Sequence, residues 1–138
     1  MSNSDETFAA CARLTAAFAV LVDHHRYEEL GELFTEDCRF ERPGATLSSR
    51  AELVAFMSQR DRAQLTRHLC QPPLIVETGP DEATGITYLA FLQGEAQEGG
   101  VGKLTGVTAM AEYHDLFRKT PEGWRIAERR VVPMMMAG

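Results

Sequence analysis

The chain has 138 residues, 44% hydrophobic and 25% charged, with a formal net charge of -6. That length suits one domain with a buried core, and the composition is ordinary for a globular protein. The acidic balance argues against nucleic acid, whose phosphates select basic faces, and no apolar run approaches the ~20 residues of a membrane span.

Residues 1–7 are polar and acidic, unlike a secretion leader. Cys11, Cys38 and Cys70 are odd in number, scattered and without CxxC spacing. They are expected to be reduced, small buried residues of a cytoplasmic protein. Ser4 or Asp5 is placed to cap a first helix, with Asp5 and Glu6 at its positive end. Phe8, Cys11, Ala12, Phe18, Ala19 and Val22 recur at three- and four-residue steps, and Leu14, Ala17 and Leu21 widen the stripe. This helix is therefore expected to be buried over more than half its circumference and to end near Asp23.

Residues 26–36 repeat the helical pattern more briefly, with Tyr27, Leu30, Leu33 and Phe34 on one side and Gly31 weakening it. Residues 38–41 alternate as a strand, broken by Pro43 and Gly44. Ser49 with Glu52 three residues later is a capping box, with Leu53, Phe56 and Met57 as the apolar face behind it. The second half is β-rich. Residues 65–77 are strand-like but bent by Pro72 and Pro73, and residues 83–95, 105–119 and 124–133 are longer strands. Strands joined by short turns, with helices gathered at the front of the chain, imply an α+β domain with an antiparallel meander. The expected domain is single and spans 1–138, with its core at about 6–133.

The run GGVGK at residues 99–103 fails as a phosphate loop, because Gln97 and Leu104 stand where glycine and Ser or Thr are required. Four histidines occur, but His24 and His25 are adjacent at a helix end, and no HExxH or Cys/His ladder exists. No metal is expected, and no cofactor motif is present. His114 is expected to be structural or exposed. The tail at residues 134–136, three methionines, could cover a pocket mouth, pack across a dimer or be disordered.

Asp23 at the helix end and His68 in an early strand form the pair with chemistry. One reading is bland: a helix-ending acid and a satisfied core histidine. The other is catalytic. A carboxylate bonded to one ring nitrogen fixes the tautomer and leaves the other nitrogen able to take a proton. Imidazole side chains, titrating ordinarily near ~6.5, suit such work around neutrality.

The stretch RYEELGELFTEDCRFERPG (26–44), the helix–helix–strand–helix opening and the terminal FRKTPEGWRIAERRVVP (117–133) resemble the SnoaL-like branch of the nuclear-transport-factor-2-like superfamily. The resemblance implies a curved antiparallel or mixed sheet wrapped around N-terminal helices, a cone-shaped α+β barrel enclosing a pocket, in a homodimer. This fold carries many activities. Ketosteroid isomerases use a tyrosine and an aspartate at positions that fall on Phe18 and Arg42, so that chemistry is not implied. Scytalone dehydratase and hexachlorocyclohexane dehydrochlorinase share an aspartate and a histidine at positions matching Asp23 and His68. The dehydratase's tyrosine and second histidine fall on Arg42 and near Met110, so its substrate does not carry over.

The expected function is a cofactor-independent lyase or isomerase acting on a small apolar or aromatic substrate. His68 removes a proton from carbon and Asp23 orients it. Arg42 is either a charge-stabilising group or a solvated arginine at the rim, and Tyr27, Phe40, Phe56, Tyr88 and Met110 are candidate pocket walls. A one-residue change of strand face would exchange Tyr88 for Leu89. The alternatives are a non-catalytic ligand-binding domain and a structural subunit like the small subunit of ring-hydroxylating dioxygenases.

Overall fold

The computed structural model describes residues 3–138. Helix α1 (Asn3–Asp23) packs along a seven-stranded sheet, with the short α2 (Tyr27–Gly31) and α3 (Arg50–Met57) beside it. The strands are β1 (Phe34–Arg42), β2 (Ala45–Leu47), β3 (Gln64–Cys70), β4 (Leu74–Gly79), β5 (Glu82–Glu95), β6 (Lys103–Thr120) and β7 (Gly123–Met136). The order is β2-β1-β7-β6-β5-β3, with β4 also on β5. Strand β5 pairs with β4 through its first half and with β3 through its second, so the Pro72–Pro73 bend splits one edge into two strands. This is the expected α+β arrangement, made more definite in two respects. The β1–β7 pair is parallel, so the sheet is mixed. The sheet is also open at β2 and at the β3/β4 edge, not a closed barrel.

Helix α1 begins at Asn3, which places Asp5 inside its first turn; the side chain of Ser4 lies outside the described residues. Its C-terminus is built from hydrogen bonds that double back. His25 N–H donates to the Val22 carbonyl and Arg26 N–H to that of Leu21, with His25 in the left-handed region at φ 58°. That pairing is the Schellman closure, in which a left-handed residue satisfies the last helical carbonyls. It fixes where the helix stops, and so where Asp23 sits.

The second helix is shorter than its periodicity suggested, because Phe34 already belongs to β1. The reason is tertiary. Phe34 has no exposed surface and meets Phe18 and Phe40 edge-on at ring separations of 6.0 and 6.2 Å. Gly31 ends α2 where a Cβ would stand 2.6 Å from Val54 Cγ2, so its role is close approach to α3. At α3 the Ser49 hydroxyl accepts from Glu52 N–H at 3.1 Å, while the Glu52 carboxylate reaches Ser48 N–H, one residue before the expected one.

The core joins Cys11, Leu14, Phe18 and Val22 of α1 to Phe34, Phe40, Tyr113, Phe117 and Ile126 of the sheet. Cys11 and Cys38 are free and buried, and Cys70 is free and half-buried. Burial pushes the Cys11 thiol up to about 12, helped by Asp115, and burial raises Cys38 to about 11 despite nearby Arg50. Such thiols stay protonated and unreactive.

Candidate active site

Asp23, the last residue of α1, meets β3 where that strand crosses the helix end. Its carboxylate accepts three hydrogen bonds. His68 Nδ1 reaches Oδ1 at 2.6 Å, the Thr66 hydroxyl donates to Oδ1 at 2.9 Å, and His68 backbone N–H donates to Oδ2 at 2.9 Å. Thr66 and His68 converge on one acid because residues two apart in a strand share a face. Burial alone would raise the Asp23 pKa. The hydrogen bond and charge of His68, its backbone N–H and the Thr66 hydroxyl together outweigh burial and hold it below the ordinary aspartate value. An ionised carboxylate only accepts hydrogen bonds, so His68 Nδ1 carries the proton and Nε2 is left to exchange one.

The Asp23 side chain is 4% exposed and that of His68 11%, so the acid is sealed and the imidazole reaches the surface of a cavity. That cavity measures about 330 Å³ and is lined chiefly by apolar groups, among them Phe18, Phe40, Leu89, Phe91, Ala109 and Val131. Phe91, opposite His68 in the β3–β5 register, holds the ring edge-on at 4.8 Å. Pro133 and Met136 close one side, so the methionine tail continues β7 and supplies part of the wall.

Of the expected site residues, the structure brings Asp23, His68, Phe40 and Arg42 together. Four expected walls stand elsewhere. Tyr27 is buried in the core with its hydroxyl 2.6 Å from His25 Nδ1. Phe56 lies outside the lining and carries the Arg42 guanidinium 5.7 Å above its ring. Tyr88 and Met110 are on the opposite face of the sheet, 58% and 38% exposed. Leu89, 3% exposed, takes the place given to Tyr88, which is the consequence of a period of two.

Several residues went unanticipated. Thr66 was detectable from its i,i+2 relation to His68. Arg60, just after α3, lines the cavity and donates to the Thr66 hydroxyl at 3.3 Å; nothing in its local sequence signals this. Tyr113 also borders the cavity, where burial pushes its phenol well up despite the charge of Arg129, so it remains a donor. Behind it, Arg129 forms a two-point pair with Asp115 at 2.7 and 2.8 Å and lies 4.0 Å from the Tyr113 ring centre and 4.6 Å from that of Phe18.

The remaining histidines serve other ends. His114 faces outward and contacts Glu112 at 2.9 Å, and His24 bonds the Val20 carbonyl. Among the described residues no cluster of three metal-ligating side chains exists, and no helix is long and apolar enough to cross a membrane. A shallower depression of about 410 Å³ lies on the outer sheet face between Ile86, His114, Glu128 and Arg130, remote from the Asp23–His68 pair.

The model of the SnoaL-like domain matches residues 6–130. The chain belongs to the SnoaL-like domain family. No curated protein matches it. Among solved structures it is similar to an NTF2-like protein with a cystatin-like fold from Novosphingobium aromaticivorans, with a TM-score of 0.79 and 24% identity over 94% of this chain and 83% of that one. A protein of unknown function from Mycobacterium tuberculosis matches at TM-score 0.78 and 28% identity, over 99% and 79% of the two chains. A candidate scytalone dehydratase from N. aromaticivorans matches at 0.78 and 20%, over 98% and 88%. The NTF2-like fold is thereby shown for this SnoaL-like domain.

Proposed function

We propose that this SnoaL-like domain is a cofactor-independent lyase or isomerase for a small, largely apolar substrate. His68 Nε2 takes a proton from a substrate carbon. The electron pair of that C–H bond forms a double bond, either expelling a leaving group with its own bonding pair or passing into an adjacent carbonyl. Asp23 holds the ring through Nδ1 and stabilises the imidazolium, and proton return from Nε2 completes the cycle.

The observation that carries this reading is the 2.6 Å Asp23–His68 contact, sealed behind and open in front onto an apolar cavity. A buried acid serving only structure would be satisfied by Thr66 and the His68 backbone N–H alone. The third bond aims an imidazole into a largely apolar cavity whose lining offers it no carboxylate. A relative named as a candidate dehydratase agrees with this class of chemistry.

The test is turnover of a panel of activated elimination and double-bond isomerisation substrates. His68→Ala is expected to lower kcat/KM by about 10²–10⁴-fold, and Asp23→Asn to lower it by less, since Nε2 survives. Folded variants that both match wild type would return the pair to a structural role and leave a ligand-binding domain. We further propose that a second copy of the chain covers the outer face of the sheet, making the molecule a homodimer.

A further inference from the structure

The cavity beside His68 is apolar in bulk but one-sided in charge. Two guanidinium groups border it with the His68 imidazole, the exposed Arg42 at its rim and the half-buried Arg60, and no carboxylate lines it; the acid Asp23 is sealed behind the ring. The chain is acidic overall, at -6, and several of its other arginines are matched to acids. Arg26 meets Glu29, Arg39 meets Glu41, Arg118 meets Asp37 and Arg129 meets Asp115. Among the described residues Arg42 and Arg60 form no such pair, as is also true of Arg62, Arg67, Arg125 and Arg130; what sets these two apart is their place beside the His68 imidazole in a cavity that no carboxylate lines.

Their settings indicate direction as well. Arg42 lies over the Phe56 ring, which holds the guanidinium by a cation–π contact and leaves its N–H edge uncommitted. Arg60 spends one Nη2 donor on the Thr66 hydroxyl at 3.3 Å, while its Nε is buried and lacks any acceptor. A buried charged donor without an acceptor is costly, and an acceptor brought by a bound molecule is one way to relieve that cost. Guanidinium groups present paired, coplanar donors matched to the two oxygens of a carboxylate.

We infer that the substrate of this cavity is an anion, specifically an apolar ring or chain bearing a carboxylate, whose oxygens are held by Arg60 and Arg42 while its hydrocarbon body lies against Phe40, Leu89 and Phe91. This rests on the reading of the same cavity as the substrate pocket, and it narrows the substrate class from apolar molecules in general to apolar acids. Arg60 is joined to Asp23 through the Thr66 hydroxyl. Anchoring the acid there therefore sets the distance between the carboxylate and the carbon presented to His68.

The experiment is calorimetric titration of the folded protein with 2-naphthoate and with 2-naphthamide, which share a ring system and differ in charge. Wild type is expected to bind the carboxylate at least about tenfold more tightly. Arg42→Gln and Arg60→Gln, each checked for folding by circular dichroism, are expected to narrow that preference, and Arg60→Lys to retain part of it. Equal affinity for the two ligands, binding of neither, or a preference untouched by both glutamine variants overturns the inference. His68→Ala separates the two claims. If it abolishes turnover while the preference for naphthoate persists, base and anion site are distinct, as inferred. If the preference disappears with the imidazole, the anion is held by His68 and the assignment to the arginines is wrong. Unimpaired turnover in His68→Ala with the preference intact removes the base and leaves the acid-binding site standing.

Discussion

Asp23 is kept ionised by the donors around it, and this has a consequence for stability that needs no substrate. Its folded pKa lies below the ordinary value, which for an unfolded aspartate is ~3.9. A lowered acid contributes stability that is fully present above the unfolded value and is lost as the pH falls through the folded one. Asp23→Asn removes the charge from three hydrogen bonds and is expected to cost about 1–3 kcal/mol at neutral pH. That deficit should shrink as the pH drops below ~4. Urea unfolding of both proteins from neutral to acidic pH checks this, and a deficit constant with pH would mean that the carboxylate is not held ionised by its neighbours. Both partners were visible in the sequence for physical reasons: an acid where an apolar helical stripe stops, and a histidine in an alternating strand. Arg60 was not, because its position follows from the path of the turn between α3 and β3, which side-chain periodicity does not encode.

At the level of elements, the register of β5 and β6 decides which residues meet the cavity. Phe91 and Leu89 face inward, so Tyr88 faces out, directly opposite Glu112, while Ala90 stands opposite Met110. The outer face thus carries Leu74, Ile86, Tyr88, Met110 and Met135, all exposed, beside the Glu112–His114 pair and Arg130. The sequence showed that β5 was a long strand rich in apolar residues, but not its phase, because both faces carry large hydrophobic side chains. Only pairing with β6 and the helices behind it resolves which set is buried. So much exposed apolar surface on a single sheet face is unusual for a lone monomer. Acid and base side by side on that face are self-complementary under a two-fold rotation, which favours a second copy as the occupant. Tyr88→Glu places a charge in the centre of this face and is expected to convert a homodimer to a monomer without altering the far-ultraviolet circular dichroism, since the residue is 58% exposed within one chain. Native mass spectrometry or light scattering gives the answer, and wild-type protein that is monomeric at micromolar concentration rules the arrangement out.

Across the whole molecule, the Asp115–Arg129 pair ties the sheet to α1. The two residues are cross-strand partners of β6 and β7, with side chains wholly buried, and the guanidinium lies against the rings of both Tyr113 and Phe18, which meet edge-on beside it. Burial alone would lower the Arg129 pKa; the charge and hydrogen bonds of Asp115 outweigh it and hold it up, so the pair stays ionised. Sequence patterning gave no sign of it, because a run of charge such as Glu128–Arg130 reads as a solvated edge until the strand's alternation turns its middle residue inward. The pair lies behind Tyr113, on the wall of the cavity, so its integrity bears on the shape of the site as well as on stability. Removing one partner leaves a buried charge without compensation, so Asp115→Asn is expected to cost about 3–5 kcal/mol. Replacing both with apolar residues, as in the double variant Asp115→Leu with Arg129→Met, avoids that stranded charge and should be much less damaging than the sum of the single changes. A double-mutant cycle from guanidinium unfolding measures the coupling directly. Strictly additive effects would show that the two charges stabilise the fold independently.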